Sequence, residues 1–162
     1  MSRRETLIIG AARQPGAFAL SLIRAAGLVV AVDGGLSPCL KAGRVPDVCI
    51  GDFDSAAPDA LEQAERGGCR MIRHPAEKDA SDLDLALDLA RAEGWRGLTL
   101  TGVLAGRLDH TLASLGAVAR NADLDIVVSE PDVVVHPLDH RTTPAIVLRG
   151  QPGSLLSIFA VG

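Results

Sequence analysis

Pro46-Asp47-Val48-Cys49-Ile50-Gly51-Asp52-Phe53-Asp54-Ser55 is the stretch on which the reading of the fold turns. A short apolar run meets a glycine and then two carboxylates one residue apart. Read as a buried strand, the run ends at Asp52 and Asp54, and side-chain alternation predicts that both point to the same side. Like charges held that close repel, and a hard divalent cation between them would relieve the repulsion. The same residues also read as an Asp-rich turn, with Asp54 or Ser55 capping the next helix.

Outward from this stretch the chain alternates short apolar runs with helical patterns. Toward the N-terminus, residues 6–10 and Leu28 to Val32 read as strands, separated by a helix from Gly16 to Ala26 and followed by a short helix from Leu36 to Ala42. Toward the C-terminus, Pro58 opens a helix to Gly67, Cys69 to Arg73 is a strand, and Ser81 N-caps a helix running to Glu93. Leu98 to Thr101, a helix to about Asn121, and a strand from Asp125 to Ser129 complete the series. Strands alternating with helices predict right-handed βαβ units, hence a doubly wound, Rossmann-like, mostly parallel α/β sheet with helices on both faces.

After Pro131 the pattern changes. Val133 to His136, Ala145 to Arg149 and Ser154 to Val161 read as strands without helices between them, with a tight turn at Gly150-Gln151-Pro152-Gly153. The expected organisation is therefore an α/β domain over residues 1–130 and the start of an antiparallel β unit over 131–162. A lone hairpin cannot bury its face, so the favoured reading is a truncated β domain, the alternative being strands that finish the sheet edge.

With 162 residues the chain has enough material for one domain with a proper core. It holds one Trp, three Phe and no Tyr, which leaves the core to aliphatic side chains and argues against base-stacking nucleic-acid platforms. A net charge of −4 offers no basic footprint for nucleic acid or an anionic membrane. Cys39, Cys49 and Cys69 form no C-x-x-C pair and read as buried reduced thiols, pointing to the cytoplasm. No apolar run reaches membrane-spanning length.

In a doubly wound sheet, ligands bind outside the carboxyl ends of the strands. Four acidic or glycine-rich loops fall there: Asp33-Gly34-Gly35, Gly51 to Asp54, Asp79 to Asp82, and Gly102 to His110. Glycines let backbone N–H groups approach phosphate closely, and Arg107 adds a planar fork at a helix start. Carboxylates on the same rim would hold Mg2+, so the site reads as metal plus polyphosphate. No P-loop and no G-x-G-x-x-G motif appears. Taken singly, Asp33 could be a turn former, Lys78 a solvated side chain, and His110 a helix-start residue.

The set Val32-Asp33-Gly34-Gly35, Pro46-Asp47 with Gly51-Asp52-Phe53-Asp54-Ser55, Lys78-Asp79-Ala80-Ser81-Asp82-Leu83 and Gly106-Arg107-Leu108-Asp109-His110 resembles the thiamine pyrophosphokinase family in order, spacing and strand-end placement. The resemblance implies transfer of a pyrophosphoryl group from ATP to the hydroxyl of thiamine, giving thiamine diphosphate and AMP. It implies a homodimer whose second, all-β domain helps bind thiamine. By position, Asp52, Asp54 and Asp82 would be the Mg2+ carboxylates. Asp33, Gly34, Gly35, Lys78, Asp79, Ser81, Gly106, Arg107 and His110 would line the nucleotide and phosphate site, with Asp109 orienting its loop. Ser81 stands where Thr is usual, Ala105 where the family commonly has Gly, and Ser114 where Asn is common. Rival readings are a diphosphokinase acting on a hydroxymethylpterin, and a nucleotide-binding module without turnover. An aspartyl nucleophile pair of the haloacid-dehalogenase type is disfavoured, because that pair ends the first strand of its fold.

Overall fold

The central strands are almost wholly aliphatic, and that composition places them between two layers of helix. A computed structural model describes residues 5–10, 16–54, 56–75, 81–104, 106–142 and 145–160. Its strands are β1 (Thr6–Ile9), β2 (Leu28–Val32), β3 (Val48–Gly51), β4 (Arg70–Arg73), β5 (Leu98–Thr101), β6 (Ile126–Ser129) and β7 (Val134–Val135). Its helices are α1 (Ala17–Ala25), α2 (Leu36–Lys41), α3 (Pro58–Arg66), α4 (Asp82–Ala92) and α5 (Leu108–Arg120). The sheet order is β4-β3-β2-β1-β5-β6-β7. All pairs are parallel except β6 with β7.

The chain winds outward from β1 to β4, then crosses back to β5 on the other side of β1. Side chains of α1, α2 and α3 (Ile23, Leu36, Cys39, Ala64) pack with Leu7, Ile9, Val29 and Ala31 in one core. Those of α4 and α5 (Leu83, Leu87, Ala117, Val118) pack with Ile8, Val30, Ile50 and Leu100 in the other. One sheet face therefore serves each core, the arrangement that right-handed crossovers on both halves require. β4 is one of the two edge strands, and its exposed Arg70 and Arg73 keep that edge charged.

At the amino end of the sheet, Asp47 Oδ2 accepts from the Val29 amide at 2.8 Å and from Arg44 Nη2 at 3.3 Å. Arg44 Nη1 also donates to the carbonyls of Ile23, at 2.9 Å, and Ala26. Asp47, five residues before Asp52, is thus a structural residue at the opposite rim.

The three expected strands after Pro131 reduce to one short one. β7 pairs Val135 with Val128 and Val134 with Ser129. Residues 145–149 and 154–160 form no ladder, although the turn between them closes with a 3.0 Å bond from the Ser154 amide to the Gln151 carbonyl. Val147, Leu155, Ile158 and Phe159 are exposed. Apolar alternation gives strand propensity, but a strand needs a ladder partner and a surface to cover, and these segments meet neither. Among the described residues, no helix is long and apolar enough to cross a membrane.

Candidate functional site

β2 and β3 are in register so that Val32 lies opposite Ile50, which puts Asp33 beside Gly51. Gly51 has φ +152°, and a Cβ there would lie 3.2 Å from the Asp33 Cα. Only glycine lets the two strand ends come this close. Beyond Gly51 the strand stops, so simple alternation does not bring Asp52 and Asp54 together. Phe53 takes φ +60°, its ring buried in the core of the α1–α3 layer and covered by the Arg73 guanidinium 5.2 Å from the ring centre. The Asp54 amide donates to Asp52 Oδ1 at 3.1 Å. The carboxylates are held by a turn anchored on a buried aromatic. That turn does not cap α3, whose N-cap, Ala57, makes no side-chain cap bond; Ser55 lies outside the described residues.

One oxygen from each of Asp33, Asp52 and Asp54 lies within 4.8 Å of the others. Oxygens on opposite sides of a cation at about 2.1–2.4 Å would be roughly 4.2–4.8 Å apart, so this spacing fits a hard divalent ion. Asp33 Oδ1 is buried with no hydrogen-bond partner. Burial raises the Asp33 carboxyl above its ordinary value; the Gly34 amide opposes this, and Asp82, Asp52 and Asp54 add repulsion in that order. An orphaned, repelled carboxylate oxygen is what a bound cation would satisfy. Sequence reasoning put Asp33 among the nucleotide-lining residues and Asp82 among the metal ligands. The geometry groups Asp33 with Asp52 and Asp54, while Asp82 stands near enough to repel Asp33.

Asp82 opens α4, and the expected Ser81 cap is formed. Ser81 Oγ accepts from the Asp84 amide at 3.1 Å, and Asp84 Oδ2 accepts from the Ser81 amide at 3.2 Å and its hydroxyl at 2.6 Å. Arg120, at the end of α5, donates to Asp84 Oδ1 at 2.7 Å. Burial pushes the Asp84 carboxyl up, but the Ser81 and Arg120 bonds together hold it below its ordinary value. The start of α4, and with it Asp82, is braced from both sides. Lys78 and Asp79 lie outside the described residues.

In the loop after β5, Arg107 and Asp109 pair through two bonds, Nε to Oδ1 at 3.1 Å and Nη2 to Oδ2 at 2.6 Å. Hydrogen bonding from Arg107 lowers the Asp109 carboxyl. Both side chains are exposed, so Asp109 occupies the Nε–Nη2 edge of the guanidinium and orients it while the Nη1 side is left open. Gly106 is exposed on the same loop, and His110 is exposed in the first turn of α5. In the same loop the amides of Val103 and Leu104 are bonded to Glu130, a residue no local motif marks.

A cleft of about 500 Å³ adjoins Asp33 and Gly34. Leu36, Leu40, Ala56 and Ala60 give it apolar walls, and Ser37 and Lys41 are polar.

The sequence model described as "Thiamin pyrophosphokinase, catalytic domain" matches residues 19–128. The thiamine pyrophosphokinase of Bacillus subtilis (strain 168) is 33% identical over 101 residues, 62% of this chain and 47% of that protein. Thiamine pyrophosphokinase 1 of Oryza sativa subsp. japonica is 26% identical over 93 residues, 54% of this chain and 35% of that protein. A solved thiamin pyrophosphokinase from Geobacillus thermodenitrificans superposes with a TM-score of 0.62 at 30% identity, covering 76% of this chain and 58% of its own. The chain spans about half the length of the Bacillus relative, and about a third of the rice one.

Proposed function

The chain belongs to the thiamin pyrophosphokinase family, matching its catalytic domain, and from that premise we propose that it transfers the pyrophosphoryl group of Mg·ATP to the hydroxyl of thiamine. The observation that carries the reading is the Asp33–Asp52–Asp54 group with its orphaned buried oxygen. Asp33, Asp52 and Asp54 would hold Mg2+, with Asp82 beside them, and the ion would supply charge neutralisation for the polyphosphate. The hydroxyl oxygen attacks the β-phosphorus in line, the bond from that phosphorus to the α-phosphate oxygen breaks, the hydroxyl proton leaves, and AMP departs. Arg107 takes the developing phosphate charge with the N–H groups that Asp109 leaves open, and Asp109 keeps the guanidinium in one orientation. Lys78, Asp79, Ser81, Gly106 and His110 complete the phosphate side of the proposal.

The cleft beside Asp33 suits the nucleoside end of ATP, with apolar walls for a flat base and the Ser37 and Lys41 polar groups for a sugar. Residues 1–130 are proposed as the ATP- and Mg-binding catalytic unit, and 131–162 as the opening of a thiamine-binding β unit. Thiamine and a second copy of the chain are the proposed partners. All three cysteines are buried, and burial pushes the Cys39 thiol up to about 12, which leaves it inert and suits the reducing conditions of a cytoplasm.

AMP release from Mg·ATP, scored with thiamine, a hydroxymethylpterin and no acceptor, tests the assignment. Thiamine-dependent release supports it. Release only with the pterin assigns the rival substrate, and Mg·ATP binding without release assigns a binding module. Asp52→Asn is expected to keep the fold by circular dichroism and lose at least about a hundredfold in turnover.

A further inference from the structure

The loop that carries Arg107 hangs on a side chain from another strand. Glu130 follows β6, and its Oε1 accepts from the amides of Val103 at 2.9 Å and Leu104 at 3.2 Å. The Thr101 hydroxyl donates to Oε2 at 3.5 Å. The backbone of Glu130 is itself held, its amide donating to the Val133 carbonyl at 2.9 Å in the turn to β7. Thr101 and Val103 are buried, and Glu130 is half-buried. Among the described residues no lysine or arginine pairs with this carboxylate. A solvated surface glutamate would face water, and a structural ion pair would have a cation. Glu130 instead gives its carboxylate to two consecutive amides, one of them on the buried Val103.

On the other side the base of the loop is fixed by backbone alone. The Gly10 amide donates to the Thr101 carbonyl at 3.0 Å, and a Cβ on Gly102 would strike the Gly10 carbonyl. Between that contact and Glu130, residues 101–104 have little freedom, and Arg107 leaves the loop three residues further on. We infer that Glu130 is a positioning residue: by holding the 103 and 104 amides it fixes where the Arg107 fork meets phosphate, and it leaves phosphate recognition in this loop to the Arg107 side chain. The inference rests on the Mg·ATP reading of the site. A glutamine can make the same contacts, since one amide oxygen accepts from both N–H groups. The hold therefore needs an acceptor at that point and not a charge.

The test measures Mg·ATP affinity by calorimetry and hydrogen exchange at Val103 and Leu104 by NMR, on the full chain. Glu130→Ala is expected to weaken Mg·ATP binding about tenfold, as displaced positioning groups do. It is also expected to speed exchange at both amides at least about tenfold. Glu130→Gln is expected to stay within about threefold of wild type in both. In an Arg107→Ala background, Glu130→Ala should cost less than about twofold, because the fork it positions is gone. An equal tenfold loss in that background would overturn the inference, as would unchanged exchange in Glu130→Ala or a loss in Glu130→Gln as large as in Glu130→Ala. If Glu130→Ala does not fold, Glu130→Asp, which draws the acceptor back by one methylene, is read by the same outcomes. A wild-type chain that fails to bind Mg·ATP would overturn the nucleotide reading itself, and the exchange comparison would still decide whether Glu130 holds the loop.

Discussion

Asp33 sits at φ +45°, half-buried, with repulsion from three other aspartates and one oxygen unpaired. Its raised carboxyl means that the folded state retains the proton more readily than the unfolded chain does. The contribution of Asp33 to stability is accordingly most favourable at acid pH and declines as pH rises from the ordinary 3.8 through the higher folded value. At neutral pH without a cation the charge opposes folding. Asp33→Asn, which tolerates the left-handed backbone, is expected to raise Tm by a few degrees at pH 7 in chelator and to abolish the Tm gain that Mg2+ gives wild type. A lower Tm for the variant in chelator would contradict this account. The sequence named Asp33 as a site residue but could not group it with Asp52 and Asp54. The grouping comes from the β2–β3 register and from a left-handed Phe53 that interrupts alternation, and neither leaves a local signal.

At the scale of elements, most helix and strand limits were legible to within one or two residues, because aliphatic runs and glycine stops coincide. The start of α4 was legible too: a serine followed three residues later by an acid is a local pattern. What the sequence could not offer was Arg120, which reaches Asp84 from another helix. Asp84→Ala is expected to cost about 1–2 kcal/mol by urea denaturation at pH 7, through loss of half the capping box. Since the Asp84 carboxyl is held below 3.8, that stability is present above the unfolded value and disappears as pH falls through the folded one. The gap between variant and wild type should narrow below about pH 4 for that reason. Arg120→Ala, which removes only an exposed ion pair, is expected to cost less than about 1 kcal/mol. A larger loss from Arg120 than from Asp84 would reverse the assigned roles. Glu130 was illegible for the same reason as Arg120, being 27 residues from Val103 in sequence.

For the whole molecule, the two-faced sheet follows from composition and order, whereas the expected hairpin over 145–160 does not form. A strand pattern states a propensity; only a partner turns it into a ladder. Because Val147, Leu155 and Ile158 bury almost nothing, a chain ending at residue 142 is expected to melt within about 2 °C of the full chain, and light scattering should show less self-association. A fall of more than about 5 °C would mean that this segment supports the sheet in solution.

The contact between Gly10 and Gly102 lies on the seam between β1 and β5, where the two halves of the sheet meet. No side chain stands between these backbones, so no rotamer change can absorb a displacement there. The seam is a mechanical coupling: Gly10 at the end of β1 and Gly102 at the end of β5 meet backbone to backbone, so displacing one strand end displaces the other.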